Sequence, residues 1–225
     1  MKSPGRLIVR IVLAAACCLA VDAFAQSSSR GGRWDLDLHL QYNDSKSITS
    51  DHGSTAEVDD SVGWGFGLGY NFNDHWGLEF NASWSTPDYT ATIAPGPGNG
   101  AAARQSSGIM NIAAASLNGT YNFLSSAFTP FVTAGIGATY VDTNVPDGPP
   151  TSTCWQDPWW GYYCGTVAPS KADTYFSYNA GAGLRWDSKQ ALFLRALVSE
   201  QWVDVGGGVG TPGFLQVRFD VGVRF

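Results

Sequence analysis

Acidic and arginine residues recur at every second position in several short stretches of this chain. Asp35 and Asp37 are two residues apart, as are Arg218 and Asp220. Alternate side chains of a strand project from the same face. Alternation therefore assigns eight residues to one surface: Asp35, Asp37, Glu79, Asp220, Arg185, Arg195, Arg218 and Arg224. Four acids against four bases predict an internal ion-pair network, because buried charges persist when they are paired.

The chain has three histidines, His39, His52 and His75, any of which could act as a general base. A general base needs a nucleophile or an activated water beside it. His39 lies on the same face as Asp37, but the sequence pairs no serine with it, and His52 and His75 fall in connecting segments. The motifs G-x-S-x-G and H-E-x-x-H and a phosphate-binding loop do not occur. We therefore expect His39 to be structural, and we expect no enzyme activity and no catalytic, cofactor-binding or metal-binding residues.

Eight amphipathic strands would position these groups. In Phe214–Phe225 every second residue from Leu215 onwards is apolar, while the residues between them include three charges. Each predicted strand is close to the roughly 9–11 residues with which a tilted strand crosses a bilayer. The eight are Trp34–Tyr42, Val62–Phe72, Trp76–Trp84, Asn111–Phe123, Phe131–Val141, Tyr175–Trp186, Leu192–Trp202 and Phe214–Phe225.

The first residues predict export. Lys2, Arg6 and Arg10 surround the start of an apolar run, and Ala23-Phe24-Ala25 is a small-x-small cleavage site. This pattern is typical of a secretory signal peptide. We expect a signal peptide at 1–25, a short N-terminal segment at 26–33 and one domain at 34–225. The net charge of −6 argues against a nucleic-acid partner.

The connections between the predicted strands alternate in length. Those after Phe72, Phe123 and Trp186 are short, whereas the other four are long. A membrane barrel with short turns on one side and long loops on the other has this pattern, and a soluble sandwich has no reason to sort its loops. Only 14% of residues are charged, while Gly (27), Trp (9), Tyr (9) and Phe (12) are abundant. These features predict an all-β, eight-stranded antiparallel up-and-down transmembrane barrel.

Three motifs give a more specific resemblance. Gly65-Phe66-Gly67-Leu68-Gly69-Tyr70-Asn71-Phe72, Pro130-Phe131-Val132-Thr133-Ala134-Gly135-Ile136-Gly137 and the terminal Arg224-Phe225 resemble the small outer-membrane β-barrel family, which includes the OmpA transmembrane domain, OmpX, OmpW and the opacity surface antigens. The resemblance implies a bacterial outer-membrane location and makes Phe225 an assembly signal. It implies lipid, lipopolysaccharide and the outer-membrane assembly machinery as partners. The family shares a fold and not one activity.

Two interpretations of the lumen remain open at this point. An eight-stranded barrel has an interior that side chains can fill, and alternation places Phe131, Phe193, Leu197 and Phe214 inside, which favours a plugged lumen. A narrow polar passage is the alternative. The glycine row Gly63–Gly69 leaves space on one wall, and we expect long arginine side chains from the facing wall to fill it, a small ligand being the alternative.

The long loops suggest surface roles. Cys154 and Cys164 are an even pair in an exported protein, so we expect a disulfide. It would close a loop rich in aromatic residues, which either bind an extracellular ligand or pack on the barrel rim; they are Trp155, Trp159, Trp160, Tyr162 and Tyr163. The acidic loop 44–60 is expected to be solvated, with cation bridging to headgroups as the alternative, and 95–103 is expected to be flexible.

The function expected from these features is structural or surface-interacting. We expect a monomeric barrel that displays loops and maintains the membrane. A narrow porin-like channel for small or apolar solutes, resembling OmpW, is the first alternative. An enzyme that modifies lipid A is the second.

Overall fold

A computed structural model describes residues 29–49, 53–94, 104–146, 151–159, 161–167, 170–189, 191–206 and 210–225. The expected signal peptide and the expected flexible segment 95–103 lie outside the described residues. These described residues form thirteen strands: β1 Arg33–Asn43, β2 Lys46–Thr49, β3 Thr55–Val58, β4 Ser61–Asn71, β5 Trp76–Ser85, β6 Asp88–Ile93, β7 Arg104–Asn122, β8 Phe128–Pro146, β9 Thr151–Asp157, β10 Gly161–Val167, β11 Ser170–Asp187, β12 Leu192–Val203 and β13 Gly213–Arg224. The described part of the chain has no helix long and apolar enough to span a membrane.

Eight of these strands form a closed antiparallel barrel, as the sequence predicts. The order around it is β1, β4, β5, β7, β8, β11, β12 and β13, and β13 returns to pair with β1. At the seam Leu38 stands opposite Val221, and Trp34 and Phe225 exchange two backbone hydrogen bonds of 2.9 Å. Every one of the eight predicted strands is confirmed.

The barrel has two unlike ends. At one end, which we call the turn end, short connections join β4 to β5, β7 to β8 and β11 to β12. At the other, which we call the loop end, several strands run on beyond the barrel. β7 and β8 have 19 residues each and β11 has 18, so all three are longer than predicted.

Further strands at the loop end were not predicted. β5 and β6 pair with β7 in one continuous register, since Ser85 faces Ile112 and Asp88 faces Ile109. Pro87 separates them, because proline has no N–H with which to continue the ladder. β2 and β3 form a hairpin on the far edge of β6. The loops 44–60 and 85–107, predicted as connections, therefore contain ordered strands.

The outer face of the barrel is apolar and carries aromatic rings near both ends. Leu38 is 68% exposed and Ile136 is 60% exposed, so this surface is made for a non-aqueous surrounding. Near the turn end the rings of Trp34 and Tyr70 lie 5.0 Å apart. Towards the loop end Trp64 and Trp84 stack at 5.0 Å. Aromatic girdles around an apolar band are typical of barrels that cross a bilayer.

Candidate functional site

The middle of the lumen is filled by charged side chains, which we call the central cluster: Arg195, Arg218, Asp37, Glu79 and Asp220. Arg195 donates a hydrogen bond to Oδ2 of Asp37 at 2.7 Å and another to Oε2 of Glu79, and its Nε lies 2.8 Å from Oδ2 of Asp220. Arg218 contacts Glu79 at 3.2 Å and Asp220 at 2.9 Å. The Asp37 and Asp220 side chains have no exposed area. These ion pairs join four strands: β12, β13 and β1, which lie side by side at the seam, and β5, which lies across the lumen.

A second set of ion pairs lies nearer the turn end. This turn-end cluster consists of Arg30, Arg185, Arg224, Asp35 and Asp187. Arg185 donates to Oδ2 of Asp35 at 2.7 Å and to Oδ1 of Asp187 at 2.9 Å. Arg224 reaches Asp187 at 3.2 Å, and Asn71 donates to Oδ2 of Asp35 at 2.9 Å. Thus the eight residues assigned by alternation fall into two clusters and not into a single network.

Phe193 separates the two clusters. Its ring is fully buried. Cζ of Arg185 lies 4.4 Å from the ring centroid and Cζ of Arg195 lies 5.3 Å from it. Guanidinium groups within about 6 Å of an aromatic ring are attracted by its quadrupole. The ring therefore joins two charged layers and leaves little room between them for water.

Arg30 is the member of the turn-end cluster that the sequence reasoning missed. It precedes β1, where alternation gives no signal, yet it is completely buried. Its Nε donates to Oδ2 of Asp187 at 2.5 Å, and its terminal nitrogens donate to the carbonyls of Leu124 and Ser126. The backbone N–H of Arg30 donates to Oδ1 of Asp74 at 2.7 Å. One side chain and its own amide thus tie together all three short turns.

The glycine row of β4 has a different use from the one predicted. The atoms nearest to a Cβ built at Gly67 belong to Asp37, and His39 ring atoms lie against Gly65. These residues belong to the neighbouring strand β1, so the expectation that arginines from the facing wall fill this space was wrong. Side chains of β1 lean over β4 because the lumen-facing residues at these positions of β4 are glycines and have no Cβ. A larger residue there would collide with them.

His39 lies beside the acids of the central cluster. Its Nδ1 is 3.4 Å from Oδ1 of Asp37, and both side chains are buried. One ligand-type atom each from Asp37, His39 and Asp220 lie within 4.8 Å of one another. The guanidinium of Arg195 already contacts both carboxylates. The guanidinium of Arg195 therefore occupies the position beside these carboxylates that a metal ion would take.

Beyond the central cluster the lumen opens in two stages. The first is a polar chamber of about 50 Å³, lined by amide and hydroxyl side chains that include Asn81, Asn118 and Gln216, together with Arg218. The second is a cavity of about 190 Å³ at the loop end, which we call the loop-end cavity. Its wall is mostly apolar, with Met110, Ile112 and Phe214 among its members. The ion pairs therefore form a floor beneath both spaces.

Tyr175 lines the loop-end cavity from the part of β11 that extends past the last residue paired with β12. Its hydroxyl donates to Oδ2 of Asp173 at 3.3 Å. Burial raises the pKa of the Tyr175 phenol, and the neighbouring Asp173 carboxylate raises it further. A tyrosine phenol is neutral at physiological pH even at its ordinary pKa, so Tyr175 presents a hydroxyl and a ring to the cavity, not a charge.

The β9–β10 hairpin carries the cysteine pair. Cys154 and Cys164 stand opposite each other and form a disulfide with a Cα–Cα distance of 4.0 Å. Of the aromatic residues proposed for interaction, Trp159 is 88% exposed and Tyr162 is 75% exposed. Trp155 and Tyr163 are paired through their backbones, and Trp160 lies outside the described residues. The exposed rings belong to a strand pair beyond the barrel.

Comparison with known proteins gives the same architecture. A sequence model of the family described as "Outer membrane protein beta-barrel domain" matches residues 11–225. The outer membrane protein OprG of Pseudomonas aeruginosa is 14% identical, covering 89% of this chain and 99% of its own, with a TM-score of 0.49. Ail of Yersinia pestis, solved with the heparin analogue sucrose octasulfate, is 11% identical, with 87% and 99% covered and a TM-score of 0.47. Neisserial surface protein A is 12% identical, with 86% and 96% covered and a TM-score of 0.47. No curated protein matches the chain.

Proposed function

The chain belongs to the outer membrane protein β-barrel domain family and lies in the bacterial outer membrane, and from this premise we propose that it is a sealed barrel whose role is structural and surface-interacting. Short turns of such barrels face the periplasm and long loops face the exterior. The loop end is therefore the outer surface of the cell. The proposed role is non-enzymatic.

The observation that carries the proposal is the pair of charged layers with Phe193 between them. Phe193 and Asp220 have no exposed area, and Arg195 is 3% exposed. An eight-stranded barrel has an interior just wide enough for side chains to fill it. A guanidinium that holds three carboxylates cannot swing aside without leaving buried charges unpaired, which is strongly unfavourable. These contacts support a barrel that does not conduct.

The loop end supports the surface part of the proposal. β7, β8 and β11 continue beyond the barrel, and β2, β3 and β6 extend the sheet. The disulfide-linked β9–β10 hairpin forms a separate two-stranded sheet in the connection between β8 and β11. Trp159 and Tyr162 are exposed there, and aromatic residues dominate the energetics of protein interfaces. A rigid, closed base carrying an ordered outer sheet suits display towards an extracellular partner. Lipid, lipopolysaccharide and, through Phe225, the assembly machinery are the other partners proposed.

Single-channel recording tests the sealed barrel. Protein purified from outer membranes would be inserted in a planar bilayer, and the expected result is a silent membrane. The folded state of the sample would be verified by the different gel mobility of heated and unheated protein. Reproducible steps that change with Glu79→Gln would contradict the proposal and favour the narrow channel. The matched control is Glu57→Gln, because Glu57 is exposed on β3 and lies outside the lumen.

The surface role has its own test. Cells lacking the gene would be complemented with the wild-type protein or with a variant in which a short turn replaces the β9–β10 hairpin. Adhesion to a panel of immobilised host and matrix proteins would be compared at equal surface expression. We expect the hairpin variant to lose adhesion while its heat-dependent gel shift is unchanged. Equal adhesion by both proteins would remove the hairpin from the proposal.

A further inference from the structure

We propose that the loop-end cavity is a binding site for small organic cations that carry an apolar group, such as aryl- or alkylammonium ions. This goes beyond a sealed, surface-displaying barrel, because it assigns a ligand class to a particular cavity. The size of the cavity, the chemistry of its wall and the charges that face it all favour this ligand class.

The size and the wall of the cavity suit an aromatic ring or a short chain. Its volume is about 190 Å³, and an apolar cavity of about 150 Å³ is large enough to take benzene. The apolar lining comes from strands on every side: Ile48, Val58, Met110, Ile112, Val141 and Phe214. The side chain of Val58 is almost fully buried although it lies at the outer end of the molecule. An apolar group placed here would lose contact with water.

The charges on the lining are negative. Asp44 and Asp59 both line the cavity, and none of the described lining residues is a lysine or an arginine. Neither carboxylate takes part in an ion pair with another described residue, and the same holds for Lys46, the nearest base along the chain. The Asp44 carboxylate accepts a hydrogen bond from the backbone of Ser45 at 3.0 Å. Two unneutralised carboxylates beside an apolar pocket complement a cation and repel an anion.

The surroundings reinforce this preference. By sequence, the loop-end segments carry more acids than bases. The bases are Lys46, Arg104 and Lys171, and the acids apart from the two on the lining include Glu57, Asp60, Asp88, Asp142, Asp157, Asp173, Glu200 and Asp204. A cavity within one sign of charge concentrates ions of the other sign. Phe214 and Tyr175 add aromatic rings to the wall, and such rings attract ammonium ions.

Among the described residues, the base of the cavity offers no unpaired cationic side chain to an anion. Gln41, Gln201 and Gln216 line it where it meets the polar chamber. The arginine below them, Arg218, is already held by Glu79 and Asp220. A carboxylate or phosphate ligand would therefore meet two aspartates and no cationic side chain on the described lining. This separates the proposed ligand class from fatty acids and from anionic lipid headgroups.

Equilibrium dialysis with a matched set of probes tests the proposal. The protein would be placed in phosphatidylcholine nanodiscs, with empty nanodiscs subtracted, and exposed to benzyltrimethylammonium, benzyl alcohol or phenylacetate. We expect the cation to bind more tightly than the alcohol and the anion least tightly. In Asp44→Asn/Asp59→Asn the affinity for the cation should fall about three- to tenfold, the range for two partly exposed charge pairs. The affinity for benzyl alcohol should stay unchanged.

Two further variants make the result decisive. Asp88→Asn/Asp204→Asn removes the same amount of charge from exposed positions outside the cavity lining, so it should leave binding of the cation nearly unchanged. Met110→Trp should reduce binding of all three probes by filling the cavity. Each variant would be checked for the gel shift of a folded barrel. Equal binding of cation and alcohol would overturn the proposal, as would an equal loss in the two aspartate pairs.

Discussion

Arg30 and Asp187 form a buried ion pair of 2.5 Å between two residues that are 157 positions apart. Neither side chain has any exposed area. Arg30 lies before the first strand and Asp187 ends β11, so the contact fastens the N-terminal segment inside the turn end. The backbone carbonyls that accept hydrogen bonds from Arg30, those of Leu124 and Ser126, lie in the turn between β7 and β8.

Replacing Arg30 by glutamine should destabilise the barrel. The change leaves two turn carbonyls without their donor and weakens the charge balance around Asp187, which Arg185 and Arg224 still contact. Loss of one partner from a buried charged network costs about 2–4 kcal/mol. The temperature at which unheated protein converts to the heated gel form should fall. Arg33→Gln is the control because Arg33 is exposed, and an equal midpoint in both variants would contradict the role of Arg30.

Replacing Arg195 by methionine should have the largest effect of any single change in the lumen. Arg195 contacts Asp37, Glu79 and Asp220, and removing it leaves buried carboxylates unpaired at a cost of about 3–5 kcal/mol. Urea unfolding in detergent micelles would measure the loss. Arg218→Met should cost less, since the Arg218 side chain is 12% exposed and shares its two acids with Arg195. The test compares the losses of unfolding free energy in the two variants. A larger loss in Arg218→Met would mean that Arg218 contributes more to the stability of the cluster than Arg195 does.

Gly222→Ala should interfere with the layer between the clusters. A Cβ at Gly222 would lie 2.6 Å from Cε1 of Phe193, and Phe193 is held between Arg185 and Arg195. Overpacking of this kind costs about 1–3 kcal/mol. Gly119→Ala is the matched control, because the nearest atom to its Cβ is the carbonyl oxygen of Ala134 at 3.9 Å. The carbonyl oxygen of Leu36 also lies 2.7 Å from the Cβ at Gly222. Thermal gel-shift midpoints of the two variants would measure the cost, and no difference between them would mean that both the ring and the backbone of β1 can give way.

Reduction of the Cys154–Cys164 disulfide should loosen the hairpin and leave the barrel unchanged. Closing a loop of this size stabilises its ordered form by about 2–3 kcal/mol in the chain-entropy model. Proteinase K should therefore cut between Thr151 and Val167 faster after reduction, while the gel-shift temperature stays the same. The variant Cys154→Ser/Cys164→Ser should behave as the reduced protein does without reductant. A lower gel-shift temperature would instead mean that the hairpin supports the barrel.

Alternation in the sequence is sufficient to place side chains inside or outside the barrel, because one face meets an apolar medium and the other a filled lumen. It fails where that contrast ends. β2, β3 and β6 have only four, four and six residues, so even where they alternate, as β3 does with Ala56 and Val58 on one face, the pattern is too short to stand out from a connecting segment. Asp187 was not assigned to the lumen because it closes a strand, and Arg30 was not assigned because it lies outside every strand.

The loop-end cavity could not be predicted for a related reason. Its wall combines residues from β2, β3, β7, β8 and β13, and their neighbours depend on how far each strand continues past the barrel. The interruption at Pro87 changes neither register nor direction. The sequence of one strand does not show how far the neighbouring strand extends past the barrel.

The separation of the lumen charges along the chain has a consequence for biosynthesis. Asp35, Asp37 and Glu79 are made early, whereas Arg185, Arg195 and Arg218 arrive only near the end. An unfinished chain therefore carries carboxylates whose partners do not yet exist, and it also lacks β13, which closes the seam against β1. A prematurely ended chain can neither neutralise its interior nor complete its ring of hydrogen bonds. The same arrangement that seals the finished barrel thus keeps truncated products from passing as folded protein.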